Sequence, residues 1–317
     1  GPFVQTTQGT PALPAGDHAD LVSAIESAER GLIVCGPADE PTPDRSALAA
    51  LARLTGFPVL ADPLSGLRFG PHTEQDGVTV LGGYDAWADG LSGECAPDFV
   101  LRFGASPTSK PLRKRLAALA MADPSLRQYL VDPTGGWREA EFAATDTLVA
   151  EPTRLARSLA DRLTSPDGTP YADRLAALEA DYWPLVADEV VADALARAPN
   201  PSTVFVSNSM PVRDMDRFAR PSARELTVLG NRGVSGIDGI TSTALGAKSA
   251  SDDPLVLVTG DLAYYHDTNG LLALYRFDLD ATIVLINNDG GGIFHLLPIE
   301  AHETFEGYFR TPHGLDF

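Results

Sequence analysis

The chain has 317 residues, 44% of them hydrophobic and 21% charged, which is globular composition with enough length for two cores and excludes a wholly disordered chain. Lys and Arg number 24 against 43 Asp and Glu, a net charge of −19. A field of that sign repels phosphate backbones and anionic membrane surfaces and argues against nucleic-acid or membrane-surface binding.

The opening residues, GPFVQTTQGTPALPAG, lack the basic and apolar regions of a signal peptide and read as a linker over residues 1–16. Alternating apolar runs and helical patterns follow, the sign of βαβ units and parallel sheets. Strands are predicted at Gly31–Cys35, Phe57–Ala61, Phe99–Phe103, Gln128–Val131 and Thr147–Ala150. Helices are predicted at Asp17–Arg30, Asp44–Thr55, Lys110–Ala120 and Pro152–Leu163, with Asp17 and Asp44 as N-caps.

The turn-rich string TSPDGTP, Thr164–Pro170, reads as the domain boundary, giving a first domain over 17–165 and a second over 171–317. A helical stretch from Tyr171 to Ala198 is interrupted at Pro184. The second alternating series has strands at Thr203–Ser207, Leu226–Leu229, Pro254–Thr259 and Ala281–Asn287. Its helices fall at Met210–Ala219, Asp238–Ser249 and Asp267–Arg276. The fold class is therefore α/β, with two Rossmann-like domains built on parallel sheets. The final TPHGLDF reads as the approach to a further helix and strand, so the second domain is expected to be truncated.

The sharpest chemical signal is Gly260-Asp261-Leu262, followed after one helix and one strand by Asn287-Asn288-Asp289-Gly290. Both segments fall at strand ends, on the carboxyl edge where open α/β sheets bind ligands. The Asp261 carboxylate, the Asn288 amide oxygen and the Gly290 carbonyl are three hard oxygen donors. They make a partial shell for Mg²⁺, which keeps water and phosphate oxygens in its other positions. Loop amides near Gly260 could hold a diphosphate. Taken singly, GD and NNDG are common strand-end turns. Six histidines show no HxxH or HExxH spacing, which argues against zinc. The first half has no GxGxxG after its first strand, which argues against NAD. Cys35 and Cys95 cannot make a disulfide framework and read as cytosolic thiols.

This constellation resembles the diphosphate- and magnesium-binding motif of thiamine-diphosphate enzymes, with Leu262 where that motif has glycine. The strings SNSMPVRD (207–214), GNRGVSGIDG (230–239), GDLAYYHDTNGLL (260–272) and NNDGGGIFHLLP (287–298) are similar to the MenD family, the 2-succinyl-5-enolpyruvyl-6-hydroxy-3-cyclohexene-1-carboxylate synthases of menaquinone biosynthesis. FPVLADPLSGLR (57–68) and LRFGASPTSKPL (101–112) extend the resemblance into the first half.

The resemblance implies a thiamine-diphosphate-binding fold in the second domain. It implies a transferase that decarboxylates 2-oxoglutarate and adds the four-carbon unit to isochorismate. Thiamine diphosphate and Mg²⁺ (or Mn²⁺) would be the cofactors, and the complete protein would be a cytoplasmic homodimer or homotetramer. Gly260, Asp261, Leu262, Asn288 and Gly290 would hold the cofactor, with Asp261, Asn288 and Gly290 on the metal. Ile237 would keep the cofactor bent. Ser209, Arg213 and Arg232 would meet the acidic substrates, with Ile293, Phe294 and Leu297 as the apolar wall. Arg213 and Arg232 supply forked cations that an acidic surface otherwise lacks, although a surface salt bridge is the commoner use of either. No catalytic residue is assigned, because the family's activating glutamate sits on a pyrimidine-binding domain that nothing here resembles. Lys110 lies in a family-like segment with no assigned role. An acetolactate-synthase-like enzyme or a non-catalytic cofactor-binding module are the alternatives, and turnover of pyruvate would mark the first.

Only Lys110, Lys114 and Lys248 are lysines, and the other cations are arginines. An acid-rich, lysine-poor surface suits a salt-filled cytoplasm, where a short Debye length suppresses self-repulsion. A GC-rich genome replacing lysine codons would give the same composition. On the first reading, the melting temperature is higher in 2 M than in 0.1 M potassium chloride. A flat or falling dependence in a thermal melt selects the second.

Overall fold

The computed structural model describes residues 4, 7, 9–39, 42–164, 170–186 and 189–317. They form two units, one of residues 1–68 and 72–181, the other of 69–71 and 182–317.

The first unit is built on a six-stranded, all-parallel sheet in the order β3-β2-β1-β4-β5-β6. Its strands are β1 (Gly31–Cys35), β2 (Val59–Ala61), β3 (Val80–Leu81), β4 (Phe99–Phe103), β5 (Arg127–Val131) and β6 (Asp146–Leu148). A sheet covered on both faces needs continuous apolar strands rather than alternating ones. The central run GLIVC of β1 is buried at every position. Helices α1 (Ala15–Ser27), α2 (Arg45–Thr55), α3 (Lys110–Ala122), α4 (Pro152–Ala160) and α5 (Pro170–Tyr182) belong to this part of the chain. Leu48, Leu51, Leu155 and Leu159 from α2 and α4 join Ile33, Val59 and Leu101 in one core.

The helix ends follow the sequence closely. Asp44 caps α2, its carboxylate accepting from the Ala47 N–H at 2.8 Å, an arrangement worth about 1 kcal/mol. Asp17 is not a cap. Helix α1 starts earlier, after Pro14, and leaves Asp17 in its first turn, where a carboxylate favours the positive end of the helix dipole.

Between β1 and β4 the chain leaves the sheet in opposite directions, the place where a sheet of this order opens a nucleotide crevice. Here the backbone closes it. The Gly36 N–H donates to the Phe103 carbonyl at 2.8 Å, and the Ala105 N–H donates to the Pro37 carbonyl at 2.9 Å. A Cβ on Gly36 would collide with the Ala105 carbonyl oxygen.

Residues 165–169 of the expected boundary lie outside the described residues, and the two units part after Asp181. Helix α5 therefore goes with the first unit, not with the second as the turn signal suggests. Tyr171, Ala172 and Leu175 are buried there. The Tyr171 hydroxyl donates to the Cys95 carbonyl at 3.1 Å, and Glu179 accepts from the Gly82 N–H at 2.8 Å. Burial of one helical face outweighs the local signal.

The second unit carries a four-stranded parallel sheet ordered β10-β9-β7-β8. Its strands are β7 (Ser202–Val206), β8 (Leu226–Leu229), β9 (Leu255–Gly260) and β10 (Thr282–Ile286). Five helices accompany them: α6 (Val190–Arg197), α7 (Met210–Phe218), α8 (Ile240–Ser249), α9 (Asp261–His266) and α10 (Leu272–Phe277). Phe205, Ile240, Ala244, Leu245, Leu255 and Leu257 form its core. The helix break at Pro184 is a short 3-10 turn, Trp183–Leu185.

One helix is displaced from its expected start. The sequence places it at Asp267, but helical structure begins at Asp261 and is remade after a 3-10 turn over Thr268–Leu271. Asp267 has another partner. Its carboxylate accepts from the Ser242 N–H at 2.6 Å and from the Ser242 hydroxyl at 2.9 Å. It thus caps α8, whose own N-cap is Gly239 in a left-handed conformation, φ 64°.

On α7, burial pushes the Asp214 carboxyl up to about 6, and the charge of Glu189 pushes in the same direction against Arg217 and Arg213. The folded-state value lies above the unfolded one. The stability it contributes is thus full below the ordinary carboxylate range and lost as pH rises through about 6. Asp214→Asn is expected to flatten the fall in melting temperature between pH 5 and pH 7.5.

Candidate functional site

Strands β9 and β10 pair in parallel with Gly260 opposite Ile286. Both strand ends therefore open at the same edge, and the residues just beyond them meet. A cleft of about 320 Å³ lies there, between four short segments of the second unit. Its walls come from Asn208–Pro211 after β7, Gly236-Ile237 before α8, Gly260–Ala263 after β9, and Ile286, Asn288 and Gly290–Phe294 after β10. Gly260, Asp261, Leu262, Ile237, Asn288, Gly290, Ser209, Ile293 and Phe294 all face this cleft, as expected of one site. Leu297 does not line it and is 46% exposed.

Asp261 is the charge at the bottom of the cleft, only 3% exposed. Its Oδ2 accepts from the Gly290 N–H at 2.9 Å, which ties the turn after β10 to the end of β9. Glycine is required in that turn. Gly290 has φ 135°, and a Cβ there would strike the Arg310 carbonyl oxygen. Gly260 is bare for a different reason. A Cβ on it would meet no protein atom within 4 Å, so its hydrogen leaves room in the cleft itself.

The opposite wall is held by Asn208, 1% exposed at the end of β7. Its Nδ2 donates to the Asn231 carbonyl at 2.7 Å and the Gly236 carbonyl at 2.6 Å, while its Oδ1 accepts from Arg232 Nη1 at 2.6 Å. Two carbonyls on one side and a guanidinium on the other fix the amide orientation. Asn208 is thus the strut that sets Ile237 against the cleft; it lies within SNSMPVRD, but nothing in that string marks its role. The next residue, Ser209, sits at φ 71°, a conformation that non-glycine residues adopt at a cost of about 1–3 kcal/mol and that gathers at binding sites.

The two arginines are not among the lining residues but bond residues that are. Arg232 bonds Asn208, and Arg213 donates to the Ser209 carbonyl at 2.5 Å while its side chain stays exposed. The clasp between α8 and α9 is doubled. His266 Nε2 lies 2.9 Å from Asp238 Oδ1, beside the Asp267–Ser242 bonds. His266 is therefore the partner of Asp238 across two segments and not of the adjacent Asp267.

The donor set suits a hard cation with an incomplete protein shell. Asp261 with its buried carboxylate, Asn288 with its amide and the backbone of Gly290 line the same cleft, and each can offer an oxygen. Among the described residues no group of three or more His, Cys, Asp or Glu side chains could hold a metal by itself. The apolar surface of Ile237, Ile293 and Phe294 and the vacant side of Gly260 leave space beside those oxygens for a large ligand.

The chain is similar to known proteins. Residues 213–314 match the model of the thiamine pyrophosphate enzyme C-terminal TPP binding domain. Over 323 residues the chain is 62% identical to the 2-succinyl-5-enolpyruvyl-6-hydroxy-3-cyclohexene-1-carboxylate synthase of Natronomonas pharaonis, covering 100% of this chain and 53% of that protein. Over its whole length the chain is similar to this synthase family. Proteins of the same name from Haloarcula marismortui and Geobacillus thermodenitrificans are 56% and 43% identical over 100% and 99% of the chain, and each is covered to 54%. The chain therefore spans about half the length of the curated relatives it matches. The fold is shared with the thiamine diphosphate-dependent 4-hydroxybenzoylformate decarboxylase of Rhodococcus jostii RHA1. That likeness has a TM-score of 0.68 at 18% identity and covers 98% of this chain and 58% of that one.

Replacing Asn208 by Ala takes one bond each from two half-buried carbonyls and from the Arg232 guanidinium, at a combined cost of about 1–3 kcal/mol. Urea unfolding is expected to show a loss of that order. Crystallography of the variant should find the 231–237 segment displaced. An unchanged midpoint with an unmoved Ile237 would remove Asn208 from its place as strut.

Proposed function

We propose that this chain is the central and diphosphate-binding part of a synthase that joins a decarboxylated 2-oxoglutarate unit to isochorismate. Thiamine diphosphate and Mg²⁺ are the proposed cofactors. The observation that carries the reading is the buried Asp261 carboxylate bonded to the Gly290 turn, inside a cleft lined by the expected residues. The 62% identity to a synthase of that name supports it.

In this reading Asp261, Asn288 and the Gly290 carbonyl would hold the cation, which would supply positive charge for the diphosphate. When bound, thiamine diphosphate supplies a thiazolium that stabilises negative charge at the carbon losing CO₂. Ile237 supports the ligand from below as a rigid apolar prop. Ile293 and Phe294 keep water from the reacting carbon, where it would deliver a proton. Both substrates carry two carboxylates, and Arg213 and Arg232, bonded to Ser209 and Asn208 of the lining, are the forked cations that would meet them. The carboxylate that activates the cofactor is proposed to lie outside residues 1–317, on a pyrimidine-binding domain of the whole protein. The whole protein is proposed to act in the cytoplasm as a homodimer or homotetramer. Among the described residues no helix is long and apolar enough to cross a membrane. Relatives from halophilic organisms accord with the acidic surface.

The test uses the full-length protein that contains this chain. It is expected to consume 2-oxoglutarate with isochorismate and to leave pyruvate untouched. Asp261→Ala is expected to abolish heat of binding for Mg²⁺ with thiamine diphosphate in calorimetry. Turnover of pyruvate in preference to 2-oxoglutarate would move the chain to an acetolactate-type reaction. Undiminished cofactor affinity in Asp261→Ala would take the metal away from this site.

A further inference from the structure

The carboxylate of Asp261 has a third partner that no sequence motif announces. His313 lies 52 residues downstream, with its side chain 11% exposed, and its Nε2 stands 3.1 Å from Asp261 Oδ2. The ring's protonation is fixed by its other nitrogen. Nδ1 accepts from the Leu315 N–H at 2.9 Å, and its distance to Asp289 Oδ1, 3.7 Å, is beyond a hydrogen bond. The proton of the neutral ring is therefore on Nε2, and it is donated to Asp261.

The segment carrying His313 is itself anchored. Asp289, at φ 58° in the turn after β10, accepts at Oδ1 from the backbone N–H of His313 at 3.0 Å and of Gly314 at 2.7 Å. Thus Asn288 and Gly290 face the cleft while the residue between them pins the histidine segment. These bonds account for most of the Asp261 acceptor capacity. Oδ2 takes the N–H groups of Gly290 and His313, and Oδ1 takes the Leu262 N–H at 2.7 Å. A carboxylate offers about four lone-pair sites. Among the described residues the unfilled one is on Oδ1.

We propose that His313 is a positioning residue for the cation, donating from Nε2 to hold the Asp261 carboxylate so that Oδ1, and not Oδ2, faces the metal. The proposal rests on the cofactor reading above and adds to it a residue outside the ligand set. A donor behind a ligating carboxylate acts on affinity through orientation, and its loss typically weakens metal binding about 10–100-fold.

Calorimetry of the full-length protein, titrated with Mg²⁺ at saturating thiamine diphosphate, tests this directly. His313→Ala is expected to raise the Mg²⁺ dissociation constant about 10-fold or more in protein that a thermal melt shows to be folded. His313→Gln, whose amide nitrogen can take the place of Nε2, is expected to keep the wild-type affinity. His313→Asn, whose shorter amide cannot reach Asp261, is expected to behave as Ala. If the Ala variant fails to fold, the Gln and Asn pair decides, and equal affinity in those two overturns the proposal. Wild-type affinity in a folded His313→Ala protein also overturns it and leaves the cofactor reading standing. A wild-type protein that binds no Mg²⁺ with thiamine diphosphate overturns both.

Discussion

A single buried carboxylate organises the second unit. A carboxylate at the bottom of the cleft needs partners, and hydrogen-bond donors converge on Asp261. The donors come from three places in the chain: its own helix start, the turn after β10, and the segment around residue 313. Meeting that one charge therefore fixes three loops relative to each other. The parallel register of β9 and β10 brings the first two within reach, and the glycine backbone at 290 allows the close approach.

The elements legible in the sequence are those governed by local chemistry and burial. The strand GLIVC reads as buried because every residue is apolar or small, and the structure buries all five. The Asp44 cap is visible because an aspartate precedes an apolar helical pattern. The strand β3 is missed, being only Val80-Leu81 and too short for periodicity. The misplaced helix start at Asp267 has a tertiary cause. A residue that looks like a cap for its own helix caps another one, 25 positions earlier in the chain.

The same distinction divides the site. Ligand-type residues at strand ends, Asp261, Asn288 and Gly290, are readable because chemistry and position coincide. Asn208 and His313 are not, because each acts on a partner 23 to 52 residues away through one well-placed hydrogen bond. The spacing rules for metal-binding histidines miss His313 for a simple reason: it bonds a carboxylate. Leu297 shows the converse error. The resemblance places it on the apolar wall with Ile293 and Phe294, but Gly292–Leu296 is a 3-10 turn and the chain is extended at Leu297, which carries that side chain away from the cleft lining.

The closed crevice of the first unit bears on how such a domain could be repurposed. Its strand order is that of sheets that hold dinucleotides, yet the Gly36 and Gly104 loops are joined by two backbone hydrogen bonds where a pyrophosphate would lie. Grafting a glycine-rich fingerprint onto the turn after β1 would not by itself create a nucleotide site. The two loops would first have to separate, and the amide and carbonyl groups that now satisfy each other would need new partners. The two strand-end loops act here as a weld between halves of the sheet, so a designer seeking a second ligand in this domain should begin at another edge.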